Sequence, residues 1–525
     1  MRRSSLLAVA AISCVLFGIA AMRLNSHHSL LQAQAAQSQT APPLPAVATA
    51  TQAAQFKPVG ETLPTSATLA DIPSPQLPTR PGTEIYTAKR GESVPAVAHH
   101  YLHNTSYLTY SELADAIRTV NGNRPGNILK AGEQITIPGI LAAPIVEKTV
   151  PVAKDLEIRA IYLTGIMAAS DHGLRIIRHW HEVGGNAVVF DIKDSDGSVN
   201  IPFEHPLLGK HQIYIHDLPK FVHFLHSENM HAIARIAVFR DERMVVEHPE
   251  LAVQSKKNKQ PWRENGKLVW TDPSQPKVQA FDIALAKFVA QSGADEIQFD
   301  YVRFPAEGDQ KDASFVFQTE HSTWQRSDVI TDFLKKAYAE LHPTGVLFSL
   351  DVFGVMAWQR SVDLSHTGQD IVGMAKYCDV LSPMIYPSHF FGMDGIAHPG
   401  DAPEHFIGES MDRFKLITKN SNVVIRPWLQ AFAWRTKTYS PQYVEVQVEV
   451  AKQKGGIGFL FWNANNDYSK PYIAMPEMRA DRNKERYFRG DEVGAKNETA
   501  AVAPPSAISA PATAVPLSDS NHPPQ

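Results

Sequence analysis

Three aspartates fall at equivalent places in this sequence. Asp191 lies near the end of the run Ala187–Lys193, Asp300 near the end of Glu296–Val302 and Asp351 near the end of Val346–Val352; each run is short and rich in β-branched or aromatic residues. Side chains along a strand alternate between two faces. Gln298 and Asp300 therefore oppose Ile297, Phe299 and Tyr301; Ser349 and Asp351 oppose Leu350 and Val352; Val189 and Asp191 oppose Val188, Phe190 and Ile192. The apolar faces can pack on helices, which leaves the carboxyl groups to share a polar side. An unpaired buried carboxylate is costly, so each needs a partner or a task. The task that two adjacent carboxyl groups perform is cleavage of a glycosidic bond: one protonates the leaving oxygen while the other attacks the anomeric carbon or activates water. Neighbouring strands lie ~4.8 Å apart, close to the ~5–5.5 Å of a retaining pair. Asp300 is read as the nucleophile and Asp351 as the general acid/base, which requires surroundings that raise the pKa of Asp351 and leave Asp300 ionised. The competing assignments are a salt bridge from Asp300 to Arg303 or Arg235, a hydrogen-bonded rim position for Asp351, and, for Asp191, either a substrate hydroxyl or Lys193.

Other residues at strand ends suit a sugar. Flat side chains stack on the apolar faces of pyranose rings, and their polar tips bond hydroxyls. Tyr301, Trp358, Tyr386, Trp428 and Trp462 all fall at or just after strand ends. About three of the five are expected to line a cleft, the others being core. Tyr301, Tyr386, Trp428 and Trp462 with Asp191, Lys193, Arg235, Arg303 and His389 make up the expected substrate-binding set. The barrel region holds many histidines but no tight pair at ligand spacing, His99-His100 lies in the small module and reads as helix surface, and no cysteine-based metal site is available, so neither a metal nor a cofactor is expected.

The elements that must position these residues can be read between about 155 and 480. Strand candidates are Ile158–Thr164, Ala187–Lys193, Ala232–Phe239, Glu296–Val302, Val346–Val352, Val380–Tyr386, Val423–Gln430 and Ile457–Trp462. Helical patterns separate them, at Gly173–Val183, Ile215–Glu228, Pro276–Ser292, Ser327–Leu341, Gly368–Lys376, Ala402–Thr418 and Ser440–Lys454. Eight such βα units predict an α/β fold, a (β/α)8 TIM barrel whose active site lies at the C-terminal ends of the strands. A doubly wound sheet would bring a Gly-rich phosphate turn after the first strand, and only Gly165 follows Ile161-Tyr162-Leu163-Thr164.

The flanks are of another kind. Arg2 and Arg3 precede an apolar run from Leu6 to Met22, so residues 1–23 read as a signal peptide or a membrane anchor and the rest as exported, to the periplasm or cell envelope. Residues 24–82 and 494–525 are rich in Ala, Pro, Ser and Thr without apolar periodicity and read as disordered. A net charge of −4 offers no concentrated basic surface for nucleic acid. Of the two cysteines, Cys14 lies in the apolar run and Cys378 reads as a buried small hydrophobe, so no disulfide is available.

Residues 84–139 form a short strand–helix–helix–strand pattern. Tyr86-Thr87, Gly91-Glu92-Ser93, Val120-Asn121, Ala131-Gly132-Glu133 and Ile135-Thr136-Ile137-Pro138 together resemble the LysM module from end to end. The resemblance implies binding to peptidoglycan or a chitin-like glycan containing N-acetylglucosamine.

The larger region resembles the glycosyl hydrolase family once called domain of unknown function 4015. The phrases that carry this are Asn186-Ala187-Val188-Val189-Phe190-Asp191-Ile192-Lys193-Asp194, Arg235-Ile236-Ala237-Val238-Phe239, Trp270-Thr271-Asp272-Pro273 and Gln298-Phe299-Asp300-Tyr301-Val302-Arg303-Phe304-Pro305. Ser382-Pro383-Met384-Ile385-Tyr386-Pro387-Ser388-His389 and Gly458-Phe459-Leu460-Phe461-Trp462-Asn463-Ala464 also match. The resemblance implies a TIM barrel distantly similar to the α-amylase-like hydrolases, with the nucleophile ending strand 4 and the acid ending strand 5, at Asp300 and Asp351. This chain departs from that wider group in carrying Gln298 two residues before the nucleophile, where an Arg is usual, and Asp351 where the acid is usually Glu. The expected activity is hydrolysis of a cell-wall or extracellular polysaccharide. The rivals are a non-catalytic carbohydrate-binding protein and a metal-dependent polysaccharide deacetylase.

Overall fold

The computed structural model describes residues 82–478. Residues 1–81 and 479–525, which hold the expected signal or anchor, nearly all of the spacer and the tail, lie outside the described residues.

The first described unit is small. Strands β1 (Thr83–Thr87) and β2 (Gln134–Pro138) pair antiparallel around the helices Val94–Tyr101 and Tyr110–Val120. Both helices start at a hydroxyl cap: Ser93 accepts from the Ala96 N–H and Thr109 from the Glu112 N–H. The unit has its own core of Val94, Val97, Leu113, Ile117, Ile135 and Ile137. It also touches the larger unit. The Thr109 hydroxyl donates to Asp171 at 2.5 Å, Arg178 pairs with Glu112 at 2.7 Å, and the Lys220 ammonium donates to the Leu102 carbonyl at 2.9 Å.

The larger unit is a closed barrel. Among the described residues, eight parallel strands follow one another: β3 (Ile158–Leu163), β4 (Ala187–Lys193), β5 (His231–Ala237), β6 (Glu296–Asp300), β7 (Leu347–Phe353), β8 (Val380–Met384), β9 (in two pieces, Val424–Ile425 and Trp428–Gln430) and β10 (Gly458–Trp462). β10 pairs with β3, and β7 with β8, so the sheet has no open edge. Helices between the strands cover the outside, including Asp171–Glu182, Leu218–Ser227, Pro276–Gln291, Arg326–Leu341, Pro403–Thr418 and Pro441–Gln453. β9 is interrupted at Pro427, which has no N–H to give a ladder.

The alternation sorts two cores. Val188, Phe190, Ile192, Phe299 and Leu350 pack outward with helix residues such as Phe221 and Phe333. Ile158, Ala160, Tyr162, Val189, Ile233, Leu460 and Trp428 meet inside the barrel. At the floor of the interior, Arg426 donates to both carboxylate oxygens of Glu296, at 2.8 and 3.1 Å, and His231 lies 3.2 Å from the same group. The β4–β5 register shifts between Asp191 and Lys193. Such a bulge adds one residue to one strand and reverses the side chains beyond it.

Candidate active site

The C-terminal mouth of the barrel gathers the three aspartates around one guanidinium. Arg235 stands on β5, between β4, which carries Asp191, and β6, which carries Asp300. Its Nη1 donates to Asp191 Oδ1 and its Nη2 to Asp300 Oδ2, each at 2.5 Å, and its Nε lies 3.8 Å from Asp351 Oδ2. All four side chains are buried or nearly so; Asp300 is 7% exposed, Asp351 1% and Asp191 not at all. Of the three carboxyl groups, Asp300 is thus the one nearest solvent. Breaking such an arrangement would leave buried charge uncompensated.

Each aspartate has different company. Asp191 accepts the Tyr162 hydroxyl at 2.5 Å. Asp300 accepts the backbone N–H of Tyr301 at 2.5 Å. Asp351 accepts the indole Nε1–H of Trp428 at 2.6 Å. Burial raises the Asp351 carboxyl well above the usual carboxylate range and the charge of Asp300 adds to this, while Arg235 and Trp428 act in the opposite direction. β6 and β7 run in register, with Gln298 beside Ser349 and Phe299 beside Leu350, so the next positions, Asp300 and Asp351, sit side by side. A carboxyl group whose proton is favoured by burial, beside one held by a guanidinium and a backbone N–H, is the division of labour that acid-assisted displacement at an acetal needs.

Aromatic residues wall the mouth. Tyr386 lies 5.9 Å from Trp462 between ring centroids, and Tyr162 lies 6.4 Å from both Trp428 and Trp462. Phe432 and Trp434 extend this wall. Burial, then the charges of Asp351 and Asp300, push the Tyr386 hydroxyl well above its ordinary value, so it is a donor. His389 packs between Tyr386 and Trp434, its Nδ1 3.1 Å from the Ser388 hydroxyl. Burial and the nearby Arg435 push its pKa down to about 3, so the ring is neutral.

Asp191, Arg235, Asp300, Asp351, Tyr386, His389, Trp428 and Trp462 therefore come together. Others from the expected set do not. Lys193 was expected to face substrate; instead its ammonium is buried outside the barrel, bonded to the Val238 carbonyl at 2.9 Å, Asp241 at 2.9 Å and Asp282 at 3.0 Å. The cause is the bulge, which turns Lys193 to the face opposite Asp191. Arg303, also expected to bind substrate, instead packs into an aromatic layer. Its guanidinium is buried over the rings of Phe353 at 4.4 Å and Trp270 at 4.7 Å, and Nη1 donates to the Phe304 carbonyl. Tyr301 directs the chain there: its φ is +54°, a left-handed conformation that costs an aromatic residue about 1–3 kcal/mol. Tyr301 itself packs beside Arg303, its ring 6.1 Å from Trp270. Trp358 packs under Arg413 and beside Phe390 at the rim.

Two features escaped the sequence. Tyr162 holds Asp191, and its place on the inward face with Ile158 and Ala160 was a usable signal. The other answers the missing arginine at position 298. Gln298 pairs in register with Arg235 on the adjacent strand. The guanidinium that serves Asp300 thus comes from one strand over, and the Gln298 amide has no hydrogen-bond partner among the described residues. Among those residues no group of three or more His, Cys, Asp or Glu is placed to hold a metal ion.

A closed parallel barrel with paired carboxyl groups at its C-terminal mouth is the architecture of a TIM-barrel hydrolase. A profile of the family described as "Putative glycosyl hydrolase domain" matches residues 160–468, and the chain belongs to that family. By that membership it is a glycoside hydrolase. No curated protein matches the sequence. Solved structures similar to it include a hypothetical protein from Ruminiclostridium thermocellum, 34% identical over 37% of this chain and 97% of its own, with a TM-score of 0.33. The PgaB (BpsB) glycoside hydrolase domain from Bordetella bronchiseptica is 15% identical over 62% of this chain and 97% of its own, with a TM-score of 0.46. The spore cortex-lytic enzyme SleL from Bacillus megaterium is 12% identical over 75% and 86%, with a TM-score of 0.36.

Proposed function

We propose that this glycoside hydrolase works by retention on a cell-wall or extracellular polysaccharide, with Asp300 as nucleophile and Asp351 as general acid/base. The observation that carries the reading is the asymmetry of the pair: one guanidinium and one N–H on Asp300, burial and one indole N–H on Asp351. In the first step Asp351 gives its proton to the leaving oxygen as Asp300 bonds to the anomeric carbon. In the second, Asp351 takes a proton from water, which displaces Asp300. Arg235 holds the nucleophile and Asp191 in place, with Tyr162 fixing Asp191. Tyr386, Trp428 and Trp462 form the surface on which a sugar ring stacks, and His389 supports it.

The same proposal places the enzyme outside the cytoplasm. The basic and apolar start of the chain supports export or anchoring in the inner membrane, and the phrases between 84 and 139 support a LysM module that holds peptidoglycan or a chitin-like glycan. The test is digestion: the purified protein and its Asp300→Asn variant are incubated with peptidoglycan and a panel of bacterial and plant polysaccharides, with and without a chelator, and products are read by mass spectrometry. Fragments from the wild type alone, unaffected by the chelator, support the reading. Binding without fragments from any glycan would turn it to a carbohydrate-binding scaffold, and chelator-sensitive loss of acetyl groups to a deacetylase.

A further inference from the structure

A second cavity opens on the same face of the barrel. It has a volume of about 400 Å³ and lies between residues 387–401, which follow β8, and residues 431–440, which follow β9; Ser388, Phe391, His398, Asp401, Arg435 and Lys437 are among its lining. Loops after barrel strands belong to the catalytic face. A short chain of rings ties the cavity to the mouth: Trp434 lies 4.8 Å from His389, which lies 5.4 Å from Tyr386.

The cavity is firmly built. Gly400 comes so close to the other loop that a Cβ there would stand 2.2 Å from the Arg435 carbonyl oxygen. Tyr443 fixes Gly400 by donating to its carbonyl at 2.8 Å. Asp401 ties down the facing turn, accepting from the Thr436 hydroxyl at 3.0 Å, the Lys437 N–H at 2.7 Å, and the Thr438 N–H and hydroxyl at 3.3 and 3.2 Å. That spends the one acidic group among the lining residues on its own loop.

The cations are left unspent. Among the described residues neither Arg435 nor Lys437 has a carboxylate within ion-pair distance, and the side chain of neither makes a hydrogen bond. The Arg435 guanidinium is held between two rings, 4.2 Å from the centroid of Phe391 and 4.3 Å from that of Trp434. Its backbone adopts φ +50°. Ring contacts occupy the faces of a guanidinium and leave its edge, the fork that matches a carboxylate, free.

We propose that this cavity is a subsite for the carboxylate of an acidic sugar unit, bound by Arg435 and Lys437 next to the ring that is cleaved. The proposal rests on the glycoside hydrolase reading and names its substrate class: a glycan carrying carboxylates such as those of uronic acids.

The test separates the two. Tri-galacturonate and its methyl ester, which differ in charge and little in shape, are titrated into the full-length protein, Asp300→Asn, and the double variant Arg435→Gln/Lys437→Gln. Tighter binding of the free acid than of the ester, by tenfold or more, to wild type and Asp300→Asn, and loss of that preference in the double variant, is the expected result. Equal binding of acid and ester, or a preference that survives in the double variant, overturns the subsite. Both substituted side chains are on the surface, and an unchanged Tm excludes misfolding as the cause of a loss. Hydrolysis is scored separately. An acid preference that depends on Arg435 and Lys437 upholds the subsite even if no glycan is cut, whereas cleavage without that preference removes the subsite and leaves the hydrolase.

Discussion

The Trp428 indole donates its Nε1–H to Asp351 Oδ1 across 2.6 Å of barrel interior. That bond favours the ionised carboxyl, against burial and against Asp300, both of which favour the protonated one. Replacing Trp428 with Phe keeps an aromatic ring, though a smaller one, and removes the donor. The Asp351 carboxyl then rises further, and a general acid that holds its proton to higher pH moves the basic limb of the kcat/KM profile upward. The acid limb should stay where it is. A basic limb that stays put or moves down would show that Asp351 is not the group read by that limb.

The two carboxylates should fail separately. On the proposed mechanism Asp300→Asn removes the nucleophile and Asp351→Asn the proton donor, and each should lower kcat about 10²–10⁴-fold while circular dichroism is unchanged. Aryl glycosides with acidic leaving groups need little protonation, so they should restore the first step of the Asp351→Asn variant, seen as a burst of released phenol ahead of slow turnover, and not that of Asp300→Asn. Asp191→Asn, whose partners are Tyr162 and Arg235, should lose less.

Arg235 should matter for stability as much as for activity. It touches Asp191 and Asp300 directly and sits beside Asp351. Arg235→Met leaves those carboxyl groups buried without counter-charge, a loss of about 3–5 kcal/mol. Arg235→Lys should recover only part, because an ammonium cannot fork between two carboxylates on different strands. Urea unfolding at neutral pH measures both.

The barrel floor supplies a pH signature of its own. Burial works to raise the Glu296 carboxyl, but Arg426 and His231 outweigh it and hold its pKa down to about 2, below an ordinary value of 4.5. A depressed folded-state pKa gives stability that is present above the unfolded value and is lost as pH falls through the folded one. Here that window runs from about 4.5 down to about 2, and the contribution is roughly 3 kcal/mol. Glu296→Gln should therefore flatten the acid side of the stability curve, with the difference from wild type shrinking as pH approaches 2.

Strand order and closure were legible because parallel barrel strands are buried on both faces and read as continuous apolar runs. Ala187–Lys193 is matched end to end, and the other strands differ by one to a few residues. The inward aspartates were legible from alternation, since Asp300 follows Gln298 by two and Asp351 follows Ser349 by two. What alternation cannot see is a break in itself. Nothing in Phe190-Asp191-Ile192-Lys193 announces a bulge, which sends Lys193 away from the mouth where simple counting places it, and nothing in Asp300-Tyr301-Val302-Arg303 announces a left-handed tyrosine. The reach of Arg235 across two neighbouring strands was equally hidden, because it depends on register, which only the assembled sheet fixes.

The bulge in β4 has an electrical consequence. With Lys193 turned outward, the mouth keeps three carboxyl groups to one guanidinium; a regular strand would have brought a second cation to the same rim and balanced the field. Departure of a sugar leaving group passes through a state with positive charge spread over the ring carbon and oxygen. On the proposed mechanism one added residue, far too small to change the fold, tilts the potential of the cavity toward that fleeting cation, and it lends Lys193 to the outer layer as a structural peg.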